Sequence, residues 1–192
     1  MLPPDLLPSH SGRSTAIKYC GVTSRIDALR ASEAGADWIG LNFHSLSPRA
    51  VSIQAASAIV RGFPHGVSWI GVFVEQNERE IQEIANTVGL HAAQIHHEDP
   101  IDPARLGGLP WIRVIRLAKS SDLERFDFIR ARDERLSHPP SAWLVDAQVP
   151  GSLGGTGTLI GDEVLIRLAQ RSINHLILAG GLNPSNVAQR IR

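Results

Sequence analysis

Seven times along the chain a short apolar run gives way to a turn and then to an amphipathic stretch. The runs lie near 16–20, 37–43, 68–74, 91–96, 111–117, 142–146 and 174–179. The stretches that follow them, near 24–34, 52–61, 77–87, 102–107, 120–135, 161–171 and 183–191, are read as helices. Ile81, Ile84, Ala85 and Val88 share one helical face, Thr23 or Ser24 is placed to cap the first helix, and Asn183 the last. Strands alternating with helices at this pitch predict parallel strands joined by right-handed crossovers. An open doubly wound sheet and a closed (β/α) barrel both satisfy that pattern.

The strand interiors favour the barrel. Lys18 with Cys20, Gly40 with Asn42, and Gln94 with His96 are polar or small at inward positions, where a sheet covered on both faces carries aliphatic groups. A layered barrel interior with a polar mouth accommodates them. No Gly-x-Gly-x-x-Gly follows the first run, so a dinucleotide site has no support. The expected fold is therefore α/β, a TIM-barrel type of (β/α)8 plan with seven βα units and no eighth before Arg192. Residues 1–15, with Pro3, Pro4 and Pro8, read as a loose leader, and 16–192 as one domain. Strands one and seven of such a barrel are open edges, where self-association is expected.

Composition narrows the function classes. The 192 residues are 43% apolar and 20% charged, which places the chain among globular proteins rather than disordered ones. Lys plus Arg and Asp plus Glu each number 19, so nothing suggests a nucleic-acid or membrane surface. No segment is apolar for long enough to span a bilayer. A single cysteine excludes an internal disulfide and fits a reducing cytoplasm.

Four turns at strand ends carry candidate chemistry. Cys20-Gly21 puts a thiol at the end of the first strand, although a lone cysteine is more often a small buried hydrophobe. Ser47-Pro48-Arg49 holds a guanidinium suited to a carboxylate or phosphate, or simply one on a solvated loop. Asp146 precedes a loop with Gly151, Gly154, Gly155, Thr156 and Gly157, consistent with a proton donor, a ligand-gripping loop or plain mobility. Gly180-Gly181 offers backbone N–H groups to an anion, or makes an ordinary tight turn. The cluster His96-His97-Glu98-Asp99 matches no zinc spacing, and no metal is expected.

Taken in order, Ile17-Lys18-Tyr19-Cys20-Gly21-Val22-Thr23, Ser47-Pro48-Arg49, Gly71-Val72-Phe73-Val74, Gln94-Ile95-His96, Asp146 with Gly154-Gly155-Thr156-Gly157, and Leu178-Ala179-Gly180-Gly181-Leu182-Asn183-Pro184 form one set. Their order and spacing resemble the phosphoribosylanthranilate isomerase family, (β/α)8-barrel enzymes of tryptophan biosynthesis, from about Ile17 to the end. The resemblance implies an Amadori rearrangement of N-(5-phosphoribosyl)anthranilate to 1-(2-carboxyphenylamino)-1-deoxyribulose 5-phosphate, with a small phosphorylated substrate as partner and no cofactor. It implies Asp146 as the general acid that opens the sugar ring and Cys20 as the general base at C2′, with Lys18 and Arg49 placed to favour the thiolate. It further implies Arg49 as partner of the anthranilate carboxylate, Gly180 and Gly181 of the phosphate, and His96, Gly154 and Gly155 as substrate-binding positions. The competing reading is a truncated, non-catalytic barrel acting as a binding or assembly partner.

Overall fold

The computed structural model describes residues 15–63, 66–147 and 159–190. Seven parallel strands form a single sheet in chain order: β1 (Lys18–Cys20), β2 (Trp38–Asn42), β3 (Ser68–Phe73), β4 (Ala92–Ile95), β5 (Trp111–Leu117), β6 (Ala142–Ala147) and β7 (Leu176–Leu178). Between and after them lie α1 (Arg25–Glu33), α2 (Ile53–Val60), α3 (Glu78–Val88), α4 (Asp122–Asp133), α5 (Asp162–Ala169) and α6 (Val187–Arg190). The expected sevenfold alternation is therefore present. Among the described residues β1 and β7 do not pair with each other.

Local sequence explains the helix boundaries. Ser24, rather than Thr23, caps α1 by accepting the Asp27 N–H. Asn77 and Glu80 form a reciprocal capping box on α3, and Gly89 ends that helix in a left-handed conformation. Two expected helices come out differently. The stretch 102–107 is only a 3₁₀ turn, Pro103–Leu106, because left-handed Gly107 and Gly108 stop it after four residues. The last helix begins at Val187 instead of 183, since Asn183 accepts the N–H and the hydroxyl of Ser185 and closes a turn of its own. Residues 191–192 and the leader residues 1–14 lie outside the described residues.

Strand parity divides the core into an inner and an outer layer. Trp38, Ile70, Ala92, Ile112, Val114, Ala142 and Leu144 form one inner cluster, joined by Ala16, Ile177 and Ala179. Side chains from near β1 through β7 meet there, which requires the sheet to curl, since a flat one would keep its margins apart. Two outer clusters fill the space between strands and helices, one mainly beneath α1 to α3 and one beneath α4 and α5.

A buried charged network sits on the outer face of β5. Arg113 is fully buried, stacks over Trp111 at 4.8 Å and donates from Nε to Asp133 of α4 at 2.6 Å. Its Nη1 donates to the carbonyl of His97 at 2.7 Å, just past the end of β4. Arg132 binds the other Asp133 oxygen at 2.7 Å and the carbonyl of Glu98 at 3.0 Å, while Arg125 reaches the Glu98 carboxylate and the carbonyl of Arg116. The cluster His96-His97-Glu98-Asp99 thus has its carbonyls at 97 and 98 and the Glu98 carboxylate committed to arginines. Burial lowers the Arg113 pKa, and the Asp133 carboxylate opposes that shift. Removing one partner of such a pair leaves the other unpaired in the core. Asp133→Ala is expected to cost about 3–5 kcal/mol, a drop in Tm on the order of 10 °C. The double replacement Arg113→Met with Asp133→Leu is expected to recover most of it. Thermal melts followed by circular dichroism check this; an unchanged Tm in Asp133→Ala removes the network from the stability account.

Candidate active site

Cys20 is the last residue of β1, and the chain turns sharply after it because Gly21 N and Val22 N both donate to the Gly40 carbonyl, at 2.9 and 3.1 Å. Its thiol is free and exposed. Gly40 is its neighbour in register on β2. A Cβ placed on Gly40 would lie 2.9 Å from the Cys20 sulfur and 2.9 Å from Lys18 Nζ. Sulfur and ammonium therefore share the space in front of Gly40, which only a residue without a side chain leaves open.

Arg49 reaches the same corner from the second turn. Ser47 Oγ accepts from Asn42 Nδ2 at 3.0 Å and from Arg49 N at 3.2 Å, so the end of β2 sets the turn that carries the arginine. The side chain crosses Gly21, with Cδ 3.0 Å and Nε 3.1 Å from where a Cβ would stand. His44 follows on the same turn, buried, with Nδ1 3.1 Å from a Glu75 oxygen.

Asp146 lies across the mouth near the end of β6. Its Oδ1 accepts the Ala147 N–H at 2.8 Å. Gly180, left-handed at φ +84°, passes so close that a Cβ there would meet Asp146 Oδ1 at 2.5 Å. Any side chain at 180 would be strained and would push the carboxyl aside. Burial drives the Asp146 carboxyl above the usual carboxylate range, against the opposing pull of the Ala147 N–H and the Arg116 cation. Such an acid keeps its proton to higher pH than a solvated one. Gly181 is left-handed as well, and its carbonyl accepts from Asn186 Nδ2 at 3.0 Å. Gly154 and Gly155 lie outside the described residues.

Between thiol and acid stand His96 and Arg116. His96 follows β4, and burial, assisted by Arg116, Lys18 and His44, lowers its pKa to about 3. The ring is therefore neutral at any ordinary pH and serves as a hydrogen-bonding group rather than an ionic one. Its Nε2 stands 2.7 Å from the Gln94 amide nitrogen, and its Nδ1 lies 3.5 Å from Arg116 Nη2. The inward parity expected for Lys18, Cys20, Gln94 and His96 holds. Arg116 was not among the expected site residues, although its parity with the inner-layer residues Ile112 and Val114 points it into the barrel. That alternation is the signal that could have found it.

One further cavity, about 530 Å3, runs along the open side of β1 and α1 past Tyr19, Thr23, Asp27 and Arg30. It touches Cys20 and Arg49 but otherwise belongs to the sheet edge, not to the mouth. Among the described residues no helix is long and apolar enough to cross a membrane.

The family model of N-(5'phosphoribosyl)anthranilate (PRA) isomerase matches residues 17–192. The N-(5'-phosphoribosyl)anthranilate isomerase of Prosthecochloris aestuarii is 40% identical over 182 residues, covering 93% of this chain and 80% of that protein. The crystal structure of phosphoribosyl anthranilate isomerase from Thermotoga maritima superposes with a TM-score of 0.79 at 31% identity, over 92% of this chain and 82% of its own. A further crystal structure, of phosphoribosyl anthranilate isomerase in complex with reduced 1-(o-carboxyphenylamino)-1-deoxyribulose 5-phosphate, gives 0.75 at 30% identity, over 92% and 81%.

The shared space before Gly40 is testable without a substrate. A methyl in Gly40→Ala is expected to separate Lys18 from the sulfur. The same methyl crowds the sulfur, so alkylation of Cys20 by iodoacetamide should slow measurably. An unchanged rate in a variant of unchanged Tm means that the methyl finds room elsewhere.

Proposed function

Since the chain belongs to the N-(5'-phosphoribosyl)anthranilate isomerase family, we infer that the groups at the barrel mouth divide the work of one Amadori rearrangement between them. The enzyme acts in tryptophan biosynthesis, converting N-(5-phosphoribosyl)anthranilate to 1-(2-carboxyphenylamino)-1-deoxyribulose 5-phosphate. The observation that carries the assignment is a thiol on β1 facing, across a cationic mouth, a proton-retaining carboxyl on β6. Asp146 delivers its proton to the furanose ring oxygen. The C1′–O bond breaks, and the anthranilate nitrogen lone pair forms the C1′=N bond of a Schiff base. Cys20, as thiolate, then takes the proton from C2′; the electrons released form the C1′=C2′ bond while the C1′=N π electrons return to nitrogen, which gives an enolamine. Tautomerisation of the enolamine gives the ketose. Hydrogen is only redistributed within the substrate, so two proton-transfer groups suffice.

The surrounding residues bind and orient. Lys18, sharing its space with the sulfur, supplies the countercharge for the thiolate. Arg49, laid against the Cys20 turn, receives the anthranilate carboxylate. The Gly180-Gly181 turn takes the phosphate, which brings the far end of the sugar beside Asp146. His96 hydrogen-bonds the substrate as a neutral ring, and Gly154 and Gly155 complete the grip. A non-catalytic barrel is not favoured. We place the enzyme in the cytoplasm, where a free thiol base stays reduced; subcellular fractionation reads this directly.

We also place self-association at the open sheet margins. Ile17 and Tyr19 at β1, and Leu176 and Leu182 at β7, are exposed, and unpaired strand edges invite pairing with a second chain. Sedimentation velocity over a concentration series is expected to show association; a monomer at every concentration excludes it.

Cys20→Ala and Asp146→Asn are each expected to lower kcat by about 10²–10⁴-fold, with KM changed little. Loss of substrate fluorescence follows the reaction. A variant within tenfold of the parent rate removes its residue from the mechanism, and a loss confined to KM reassigns it to binding.

A further inference from the structure

We propose that Arg116 is a positioning residue for the general acid: its guanidinium orients the Asp146 carboxyl in the mouth and stabilises the carboxylate left once the proton has been delivered. The inference rests on the assignment of Asp146 as the acid. Three observations carry it. Arg116 and Asp146 are register partners on adjacent strands, so their inward side chains are direct neighbours. Arg116 Nε is buried and has no hydrogen-bond partner among the described residues. The backbone of Arg116 is itself anchored from outside, its carbonyl accepting from Arg125.

The remaining side of the guanidinium faces His96. Gln94 Oε1 is buried without a partner among the described residues, while the Gln94 amide nitrogen faces His96 Nε2. With the two ends of that amide exchanged, Oε1 accepts an Nε2–H, and the Nδ1 lone pair is turned toward Arg116 Nη2. A neutral His96 then holds one flank of the guanidinium, leaving Nε and the other flank for Asp146. Arg116 from β5 is the charge that acts on Asp146, the Gly180 turn after β7 lies against its carboxyl, and Lys18 from β1 and His44 from the β2 turn act with Arg116 on His96. Cys20 and Arg49 stand at the β1 corner.

The physical role follows from opposing demands on an acid. Burial alone makes Asp146 hold its proton, and also makes it reluctant to release one, because the carboxylate would be left unsolvated. A cation in the adjacent strand relieves the second problem at the moment of transfer. Its charge is already in place, so little reorganisation is needed. Removing the guanidinium raises the carboxyl pKa and weakens the acid.

The test is Arg116→Met compared with Arg116→Lys and Arg116→Gln in the full chain. The Asp146 carboxyl is titrated by carbon NMR, a readout that needs no turnover, and kcat and KM are measured against pH. In Arg116→Met the Asp146 titration is expected to move to higher pH. The limb of the kcat/KM profile that belongs to Asp146 should move with it, and kcat should fall roughly 10–100-fold with little change in KM. Arg116→Lys should recover most of the loss and Arg116→Gln little. If Arg116→Met fails to fold by circular dichroism, the lysine and glutamine variants carry the same comparison. An Asp146 titration that does not move in any variant overturns the proposal, as does a loss confined to KM, which makes Arg116 a substrate ligand. If Asp146→Asn keeps the parent rate, it is the acid assignment that fails, whereas the NMR titration still reads the coupling between the two residues.

Discussion

Beneath the mouth, one buried arginine ties three elements together. Arg113 cannot be left without Asp133, and Asp133 can meet it only if α4 lies against the outer face of β5. The same guanidinium takes the His97 carbonyl, so the chain leaving β4 is held in the same grasp. Arg132 and Arg125 add the Glu98 and Arg116 carbonyls. The carbonyls of His97 and Glu98 lie one and two residues past His96, and the Arg116 carbonyl belongs to the interior arginine itself. The placement of His96 and Arg116 inside the barrel is thus fixed from outside it. Charges unaided would be poor structural material here, because desolvation offsets much of their attraction. Their value is that hydrogen-bond geometry admits only one arrangement of the three elements.

Glycine does the complementary work from within. The mouth holds a thiol, an ammonium and a carboxyl where packed side chains would normally stand, and it does so by omitting Cβ atoms at two places. Gly40 clears the floor under Cys20 and Lys18, and Gly180 lets β7 run against Asp146. Both lie on strands or turns adjacent to the residue they accommodate, so each reactive group is paired with an absence next door. A substitution at either glycine disturbs the chemistry through sterics alone, without altering a charged group.

Much of this was legible in the sequence, and the failures have physical causes. The seven strand positions follow from apolar runs, whose signal is strongest in β2 to β6, where residues facing both ways are buried. The parity of Lys18, Cys20, Gln94 and His96 was readable for the same reason. The segment at 102–107 misled because a helical pattern of apolar residues does not reveal that the paired glycines behind it adopt left-handed angles. The last helix misled because Asn183 and Asn186 bond locally to the turn, and such competition is invisible to periodicity. Arg116 lies inside the run 111–117, which the periodicity marks only as a strand. Its proposed role rests on the register with Asp146, and Arg113, three residues earlier and outward, shows that this strand carries charge on both faces.

The unequal lengths of the strands have a consequence for how the enzyme fails. Asp146 belongs to a six-residue strand paired with β5 and β7, whereas Cys20 ends a three-residue strand that, among the described residues, pairs with β2 alone. Backbone hydrogen bonds at such a margin open locally at a free energy well below that of global unfolding. On the proposed division of work, the two proton transfers therefore sit in regions of different cooperativity. Under mild heat or denaturant β1 is expected to loosen before β6, which is buried along most of its length. If Cys20 is the base, a preparation can then look native by its helix content after it has ceased to turn over.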